Sequence, residues 1–313
     1  MGSGNLVIDG TQLLMANLAV NDDDCTDDGE YLGGMMGLLR QIAGLTNLFQ
    51  PHSIFITFDE DKSKYRLGLL PEYKAGRHKN IKEELAKKFS ARAVNTSYLK
   101  MILPLLGVHI LTYPDVEADD VLYNFVDQSK RFNTLVSTDK DFIQLVNGNT
   151  RLYRPIPKPV MIDNDNLEEM VKSTFKLGEL DFNREWLTSM RVFEGDTSDN
   201  IKGCDGVGSK RAIQLFNDAG GCTKELIEQH IESLDKLPKW KENVTSFIKS
   251  DQFELNYDLM EFERAPQIKI INLIEKPERK YEDAFNFLLE LKVDDFMFED
   301  DIHKVLCMFD ELK

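Results

Sequence analysis

The chain has 313 residues, a formal net charge of −16 and a hydrophobic fraction of 42%, enough for one large domain or two of ordinary size around a real core. No run of about 18 uninterrupted apolar residues marks a membrane helix, and no basic n-region followed by an apolar segment marks a signal peptide. Four scattered cysteines, Cys25, Cys204, Cys222 and Cys307, have neither CxxC nor framework spacing, which argues against zinc and disulfides and for reduced thiols in a cytoplasmic protein.

In chain order, Asn5 to Ile8 reads as a short buried strand, followed by a helix through Leu13, Leu14 and Leu18. An acidic surface loop, NDDDCTDDGE, covers 21–30. A helix over Leu32 to Phe49 leads to a strand, Ser53–Phe58. After an irregular insertion come a strand at Val108–Thr112, a helix at Ala118–Val126 and a strand at Thr134–Ser137. Strands alternating with helices predict βαβ units and a mostly parallel central sheet flanked by helices. Pro155, Pro157 and Pro159 mark a loop or edge strand. From about Asn183 the pattern turns helical, over Trp186–Phe193, Lys210–Asn217, Lys224–Ser233 and Lys239–Ile248. The reading is therefore an α/β domain over 1–182 and a helical one over 183–313. The amphipathic C-terminal stretch, with Phe296, Phe298, Val305, Leu306 and Phe309 among acids, is expected to pack on the helical domain, docking to a replication partner being the alternative.

Carboxylates recur next to the apolar runs: Asp9 in LVIDG, Asp59 in IFITFDE, Glu117, Asp119 and Asp120 in VEADD, Asp139 and Asp141 in STDKDF, Asp196 and Asp199 in GDTSDN. Several stand where a strand should end, and ligands of open α/β sheets bind outside the carboxyl ends of the strands. Taken singly, VEADD and STDKDF equally suit helix capping. Taken together, so many acids would repel unless cations neutralised them. All-oxygen ligands favour Mg²⁺ or Mn²⁺, and two such ions can activate water and neutralise a leaving oxygen in phosphodiester hydrolysis. No HExxH occurs, the five histidines are scattered, and an EF-hand starting at Asp24 would have Thr26 and Met35 at ligand positions.

The summed charge opposes a nucleic-acid partner, but its distribution does not. Basic residues gather over 62–92 and around Lys202, Lys210 and Arg211, leaving room for a local phosphate-binding track. In the insertion, Lys64, Tyr65, Arg66, Tyr73, Lys74, Arg77, His78 and Lys79 interleave rings and cations, as suits single-stranded nucleic acid. A solvated charged face is the plainer alternative. Glycines in GCDGVGSKRA permit tight turns before a helix whose free N–H groups, with Lys210 and Arg211, would meet a phosphate. It has the look of a helix-hairpin-helix. A Walker A loop needs Gly-Lys-Ser/Thr, whereas this chain has Gly208-Ser209-Lys210.

In this order, VIDG, FDEDKSKYRLGLLPEYKAGR, VEADD, STDKDFIQL and GDTSDNIKGCDGVGSKRA resemble the 5′ nuclease superfamily. That superfamily includes bacteriophage 5′→3′ exonucleases and flap endonucleases, the phage ribonuclease H enzymes and the nuclease domain of bacterial DNA polymerase I. The resemblance runs from Asn5 to about Phe216. It implies a PIN-like nuclease fold with a helical arch at about 64–95 and a helix-hairpin-helix (H3TH) at about 186–220. Asp9, Asp59, Glu117, Asp119 and Asp120 would hold or surround a first Mg²⁺, and Asp139, Asp141, Asp196 and Asp199 a second, with Mn²⁺ as substitute. Lys74 and Arg77 would engage the scissile phosphate. Arg66, Tyr73, Lys79, Gly206, Gly208, Ser209, Lys210 and Arg211 would contact DNA, and a K⁺ would sit at the hairpin through carbonyls and a hydroxyl such as that of Ser209. The implied activity is cleavage at 5′ flaps, nicks, overhangs and RNA primers during replication, by a monomer that needs no membrane. A PIN-like ribonuclease and a non-catalytic structure-specific DNA-binding protein are the rivals; the first gives no reason for the basic insertion and glycine hairpin.

Overall fold

In the computed structural model, the structure describes residues 4–21, 24–59, 63–75, 83–235 and 238–309, with side chains of the fourth segment described from residue 90. Strand β1 (Asn5–Asp9) leads into helices α1 (Gly10–Val20) and α2 (Gly33–Phe49), then β2 (Ser53–Thr57) and the short α3 (Lys64–Leu69). Helix α4 (Glu83–Leu105), β3 (Val108–Leu111), α5 (Ala118–Gln128) and β4 (Asn133–Val136) follow. A 3₁₀ turn at Asp141–Leu145 precedes β5 (Thr150–Arg154), β6 (Val160–Ile162) and α6 (Leu167–Thr174).

The six strands order as β3-β2-β1-β4-β5-β6. Strands β1 to β5 run parallel, and only β6 is antiparallel, at the edge. Pro155, Pro157 and Pro159 lie between β5 and β6, where the missing N–H of proline costs no ladder bond. Every residue of β1 is buried, as expected for a parallel strand covered on both faces. The strand order reverses between β1 and β4. That seam is the topological switch point, and the carboxyl ends of β1 and β4 open there into one crevice.

Two apolar layers cover the sheet. One joins Val7 and Phe55 to Val121, Leu122 and Phe125 of α5. It continues without a break into α7 (Trp186–Glu194), α8 (Ser209–Ala219), α9 (Lys224–Glu232), α10 (Lys239–Ile248) and α11 (Asp251–Met260). The division expected at 182/183 therefore does not coincide with a break in the core. The opposite layer joins Leu6 and Ile8 to α1, α2 and α4, and to α12 (Tyr281–Glu290) and α13 (Glu299–Cys307). This corrects the expectation for the C-terminal stretch. Its helix α13 packs on α2, and the preceding α12 on α4, of the first domain, because Phe285, Leu288, Ile302 and Leu306 complete the apolar cover that α1, α2 and α4 leave open.

Helix α4 also differs from expectation. It is one unbroken element whose C-terminal half belongs to the core, with Leu99, Ile102 and Leu103 fully buried. Between α7 and α8 the chain forms a small antiparallel hairpin, β7 (Gly195–Asp196) with β8 (Ile201–Lys202). Gly195 has φ +72°, and a Cβ there would stand 2.3 Å from the backbone nitrogen of Gly203, so the close approach of the hairpin strands requires glycine. No described helix is long and apolar enough to cross a membrane.

Candidate active site

Four carboxylates come from four consecutive places along the crevice. Asp9 ends β1, Asp59 follows β2, Asp119 lies in the first turn of α5 after β3, and Asp139 follows β4. Buried β-branched runs stop here because the strands' carboxyl ends leave the core. Asp9 is 1% exposed. Its Oδ1 accepts the Gln12 N–H at 3.1 Å, capping α1, and its Oδ2 accepts the Ser137 hydroxyl at 2.7 Å. Glu117 occupies the N-cap of α5 without capping it; Asp59 does so instead, its Oδ1 accepting the Ala118 N–H at 3.1 Å. Asp139 Oδ1 accepts the Asp141 N–H at 2.9 Å.

The four acids share one field. Burial pushes the Asp9 carboxyl up to about 7; the Ser137 and Gln12 bonds oppose this, and Asp59 and Asp139 reinforce it. Burial, then Asp9, Asp139 and Asp59, holds Asp119 well above the usual carboxylate value, with Lys74 the opposing charge. Such a crowd relaxes either by taking up protons or by binding cations. Beside it, Thr57 pairs in register with Asp9, is 1% exposed, and has a hydroxyl without a partner among the described residues. Buried hydroxyls are normally satisfied by protein or water, so the crevice has polar capacity to spare. No three or more acid, histidine or cysteine side chains among the described residues form a preformed metal cage. A hard ion that keeps several waters needs only one or two carboxylates directly.

The other five expected acids are placed differently. Asp120 is fully buried and receives both arms of the Arg66 guanidinium, at 2.5 and 2.8 Å. Arg66 is itself 5% exposed and also reaches Glu117 at 3.3 Å and the Leu259 carbonyl at 3.2 Å. The expectations that Asp120 faces a metal and Arg66 faces nucleic acid do not fit this geometry, since each satisfies the other inside the protein. Tyr73 is likewise corrected: at 3% exposure its ring offers no stacking face. Its hydroxyl bridges Glu117 and Asp199, both at 3.1 Å.

Glu117 is the hinge between acids and bases. It accepts Lys74 Nζ at 2.7 Å as well as Tyr73 and Arg66. Burial would raise its pKa, yet Lys74 and Arg66 outweigh it and hold the carboxyl below its usual value. Burial likewise works against the Lys74 ammonium, but Glu117, Asp119 and Asp199 keep its pKa above the ordinary lysine value. Lys74 has φ +56°, a conformation that costs a non-glycine residue about 1 kcal/mol or more. It is held there by docking: the Lys74 N–H donates to the Asp199 carbonyl at 3.1 Å, and Asn200 Nδ2 to the Glu72 carbonyl at 3.1 Å. The basic segment after α3 thus sits directly on the GDTSDN turn, two motifs that the sequence keeps apart. Arg77 and Lys79 fall outside the described residues.

A third group gathers around Arg191, which sequence reading missed. This side chain is 2% exposed and meets Asp141 at 2.8 Å, Asp196 at 3.2 Å and Glu194. Burial raises the Asp141 pKa against the pull of Arg191. Asp196 is lowered: burial opposes, but bonds from Ser198 and the charge of Arg191 prevail. A lone arginine among Leu187, Met190, Val192 and Phe193, five residues before Asp196, is the signal that would have found it. Glu194 Oε1 accepts the Ser209 hydroxyl at 2.8 Å, at the start of α8. Gly206, Gly208, Lys210 and Arg211 are exposed around that terminus. Gly206 has φ +78°, and its carbonyl accepts Arg211 Nη1 at 2.5 Å.

The model of the 5′-3′ exonuclease N-terminal resolvase-like domain matches residues 5–174. The 5′-3′ exonuclease of Aquifex aeolicus is 25% identical over 259 residues, 81% of this chain and 80% of the relative. DNA polymerase I of Lactococcus lactis is 26% identical over 227 residues, 69% of this chain and 23% of the polymerase. The match thus spans about a quarter of the length of the polymerase relatives. Among solved structures, the bacteriophage T5 flap endonuclease, crystallised as a pseudo-enzyme-product complex with DNA and metal ions, superposes with a TM-score of 0.64 at 19% identity, covering 96% of this chain and 98% of that one. The catalytic core of Rad2 in complex with DNA superposes with a TM-score of 0.59 at 12% identity, covering 98% and 93%. These two likenesses show a common fold.

Proposed function

The chain belongs to the 5′-3′ exonuclease family through its N-terminal resolvase-like domain, and from that premise we propose that it is a divalent-metal-dependent, structure-specific nuclease cutting at 5′ ends, flaps and RNA primers. The observation that carries the proposal is the mutual repulsion of Asp9, Asp59, Asp119 and Asp139 at four neighbouring element ends. A hard cation fits this donor set, since all four are oxygen ligands. Mg²⁺ is the proposed ion and Mn²⁺ its substitute, with Asp9, Asp59, Asp119 and Asp139 nearest and Asp141, Asp196 and Asp199 completing a second subsite. When bound, two such ions supply Lewis-acid charge to the oxygens of a phosphodiester.

The protein's own groups do the rest. Lys74, fixed by Glu117 beside Asp119, offers a cation to a phosphate's developing charge. The α8 N-terminus, with exposed Lys210 and Arg211, suits the backbone of a duplex downstream. Helices α7 and α8 with the hairpin between them are proposed to act as the helix-hairpin-helix. K⁺ binding there also stays a proposal. Its support is that Ser209 gives its proton to Glu194, leaving the oxygen lone pairs available. The proposed setting is cytoplasmic replication, with a monomer acting on branched or nicked DNA and RNA–DNA junctions. Phe298 of the C-terminal stretch, 83% exposed, is proposed as an apolar contact for a replication protein.

A 5′-labelled flap substrate with nicked and blunt duplex controls tests the reading. The expected result is Mg²⁺-dependent cleavage near the branch, with Asp119→Asn abolishing cleavage while flap binding persists. Full activity of Asp119→Asn removes the metal assignment. Cleavage of unstructured RNA without 5′-end preference favours a PIN-like ribonuclease instead. Binding with no metal-stimulated hydrolysis indicates a non-catalytic DNA-binding protein.

A further inference from the structure

Arg191 lies outside every motif that suggested the site, yet its guanidinium is among the most deeply buried charges in the protein. At 2% exposure it joins three acids from three pieces of structure. Nε donates to Asp141 Oδ1 at 2.8 Å and Nη2 to Asp141 Oδ2 at 3.3 Å, so the 3₁₀ turn after β4 is gripped by a two-point fork. Nη2 also donates to Asp196 Oδ2 at 3.2 Å, at the end of β7. Nη1 meets Glu194 at the end of its own helix, and Glu194 in turn receives the Ser209 hydroxyl at 2.8 Å. Planar, five-donor geometry makes this possible; an ammonium would have to choose one partner.

The arrangement leaves the acids partly open. Side-chain exposure is 30% for Asp141 and 23% for Asp196, against 2% for the arginine between them. The arginine is thus the more enclosed partner and both carboxylates keep accessible surface, although Asp196 Oδ1 also accepts the Ser198 hydroxyl at 2.7 Å and the N–H groups of Ser198 and Asp199 at 2.8 and 3.3 Å. Asp139 is tied to the same turn through the Asp141 N–H. We infer that Arg191 is a positioning residue for the second acidic subsite: it fixes Asp141 and Asp196 at a set separation so that a second divalent ion finds its ligands prearranged. The inference rests on the metal reading above. It predicts an asymmetry, because Asp9, Asp59 and Asp119 make none of their hydrogen bonds to Arg191 and should hold the first ion without it.

The experiment is a calorimetric titration of the full chain, free of DNA, with MnCl₂, comparing wild type with Arg191→Lys. Lysine keeps the charge and loses the fork. Loss of one outer support of a metal ligand typically weakens binding 10–100-fold, so the weaker of two Mn²⁺ sites is expected to fall by about that factor, with the tighter unchanged. Thermal unfolding in chelator is read alongside. Arg191→Met, followed in the same way, leaves three carboxylates without their partner; if it unfolds, Arg191→Lys alone decides. Two Mn²⁺ sites of unaltered affinity in a folded Arg191→Lys protein overturn the inference, as does equal weakening of both. Absence of any Mn²⁺ binding by the wild type overturns the metal reading instead.

Discussion

Ser137, directly after β4, donates a 2.7 Å hydrogen bond to Oδ2 of Asp9, at the end of β1, 128 residues earlier in the chain. The bond crosses the seam where strand order reverses, so it reports directly on how the crevice is set. It favours the ionised form of a carboxyl that burial pushes toward neutrality. Ser137→Ala is expected to raise the Asp9 pKa further. Metal binding needs the ionised carboxylate, so its midpoint moves to higher pH, by roughly one unit or about 1.4 kcal/mol. Isothermal titration with Mn²⁺ between pH 6 and 8.5 would detect it, and an unmoved midpoint would remove Asp9 from the ion's ligands.

The same raised carboxyl links stability to pH. Asp9 titrates near 7 in the folded chain against 3.8 as a free carboxyl, so the folded state holds a proton that the unfolded state has released. Its contribution is fully present below about pH 4 and is lost as pH rises through about 7; Asp119 has the same sign. Glu117 and Asp196, both lowered, act oppositely, and only below the usual carboxylate range. In chelator, the unfolding temperature is expected to fall from pH 5 to 7.5, and Asp9→Asn should flatten the slope. Added Mg²⁺ should restore stability most at the upper end. A rising slope in chelator contradicts the assignment.

Asp120 and Arg66 predict a different phenotype from their acidic neighbours. Both are buried and bonded to each other by two contacts. Asp120→Asn leaves the guanidinium without its main counter-charge, a change that typically costs about 3 kcal/mol or more. Urea unfolding should show that loss, while Mn²⁺ affinity of the folded protein stays within a factor of about two. A large loss of affinity without loss of stability returns Asp120 to the metal.

Tyr73→Phe isolates the link between the basic segment and the hairpin turn. It deletes one hydroxyl that bonds both Glu117 and Asp199, and bonds to charged groups contribute about 1.5–3 kcal/mol. Stability should drop by that order. Cleavage of a flap should fall roughly tenfold, since 1.4 kcal/mol of lost positioning corresponds to that factor. Wild-type rates in a measurably destabilised variant would confine Tyr73 to structure.

Much of this was legible in the sequence because it is local. Val7-Ile8 before Asp9 and Leu135-Val136 before the STDKD turn are buried runs ending in acids, and the parallel sheet follows from them. Helix α7 begins at Trp186 and α8 one residue before Lys210, close to where apolar spacing put them. What the pattern left hidden is which acids are already paired. Arg66 reaches Asp120 across 54 residues, and Arg191 reaches Asp141 across 50. A carboxylate bound to buried arginine and one facing an ion look alike in a motif.

The docking of α12 and α13 beneath α2 and α4 has a consequence for the order of events in the cell. Leu6 and Ile8 share an apolar layer with Phe285, Leu288, Ile302 and Leu306, so the back of β1 is closed by residues translated long after it. Long-range closure of this kind delays the native state, and chain growth at about 5–20 residues per second sets the wait. The acidic crevice stands on that strand, so a nascent chain stalled before Tyr281 should be far more protease-sensitive than one extended through α13.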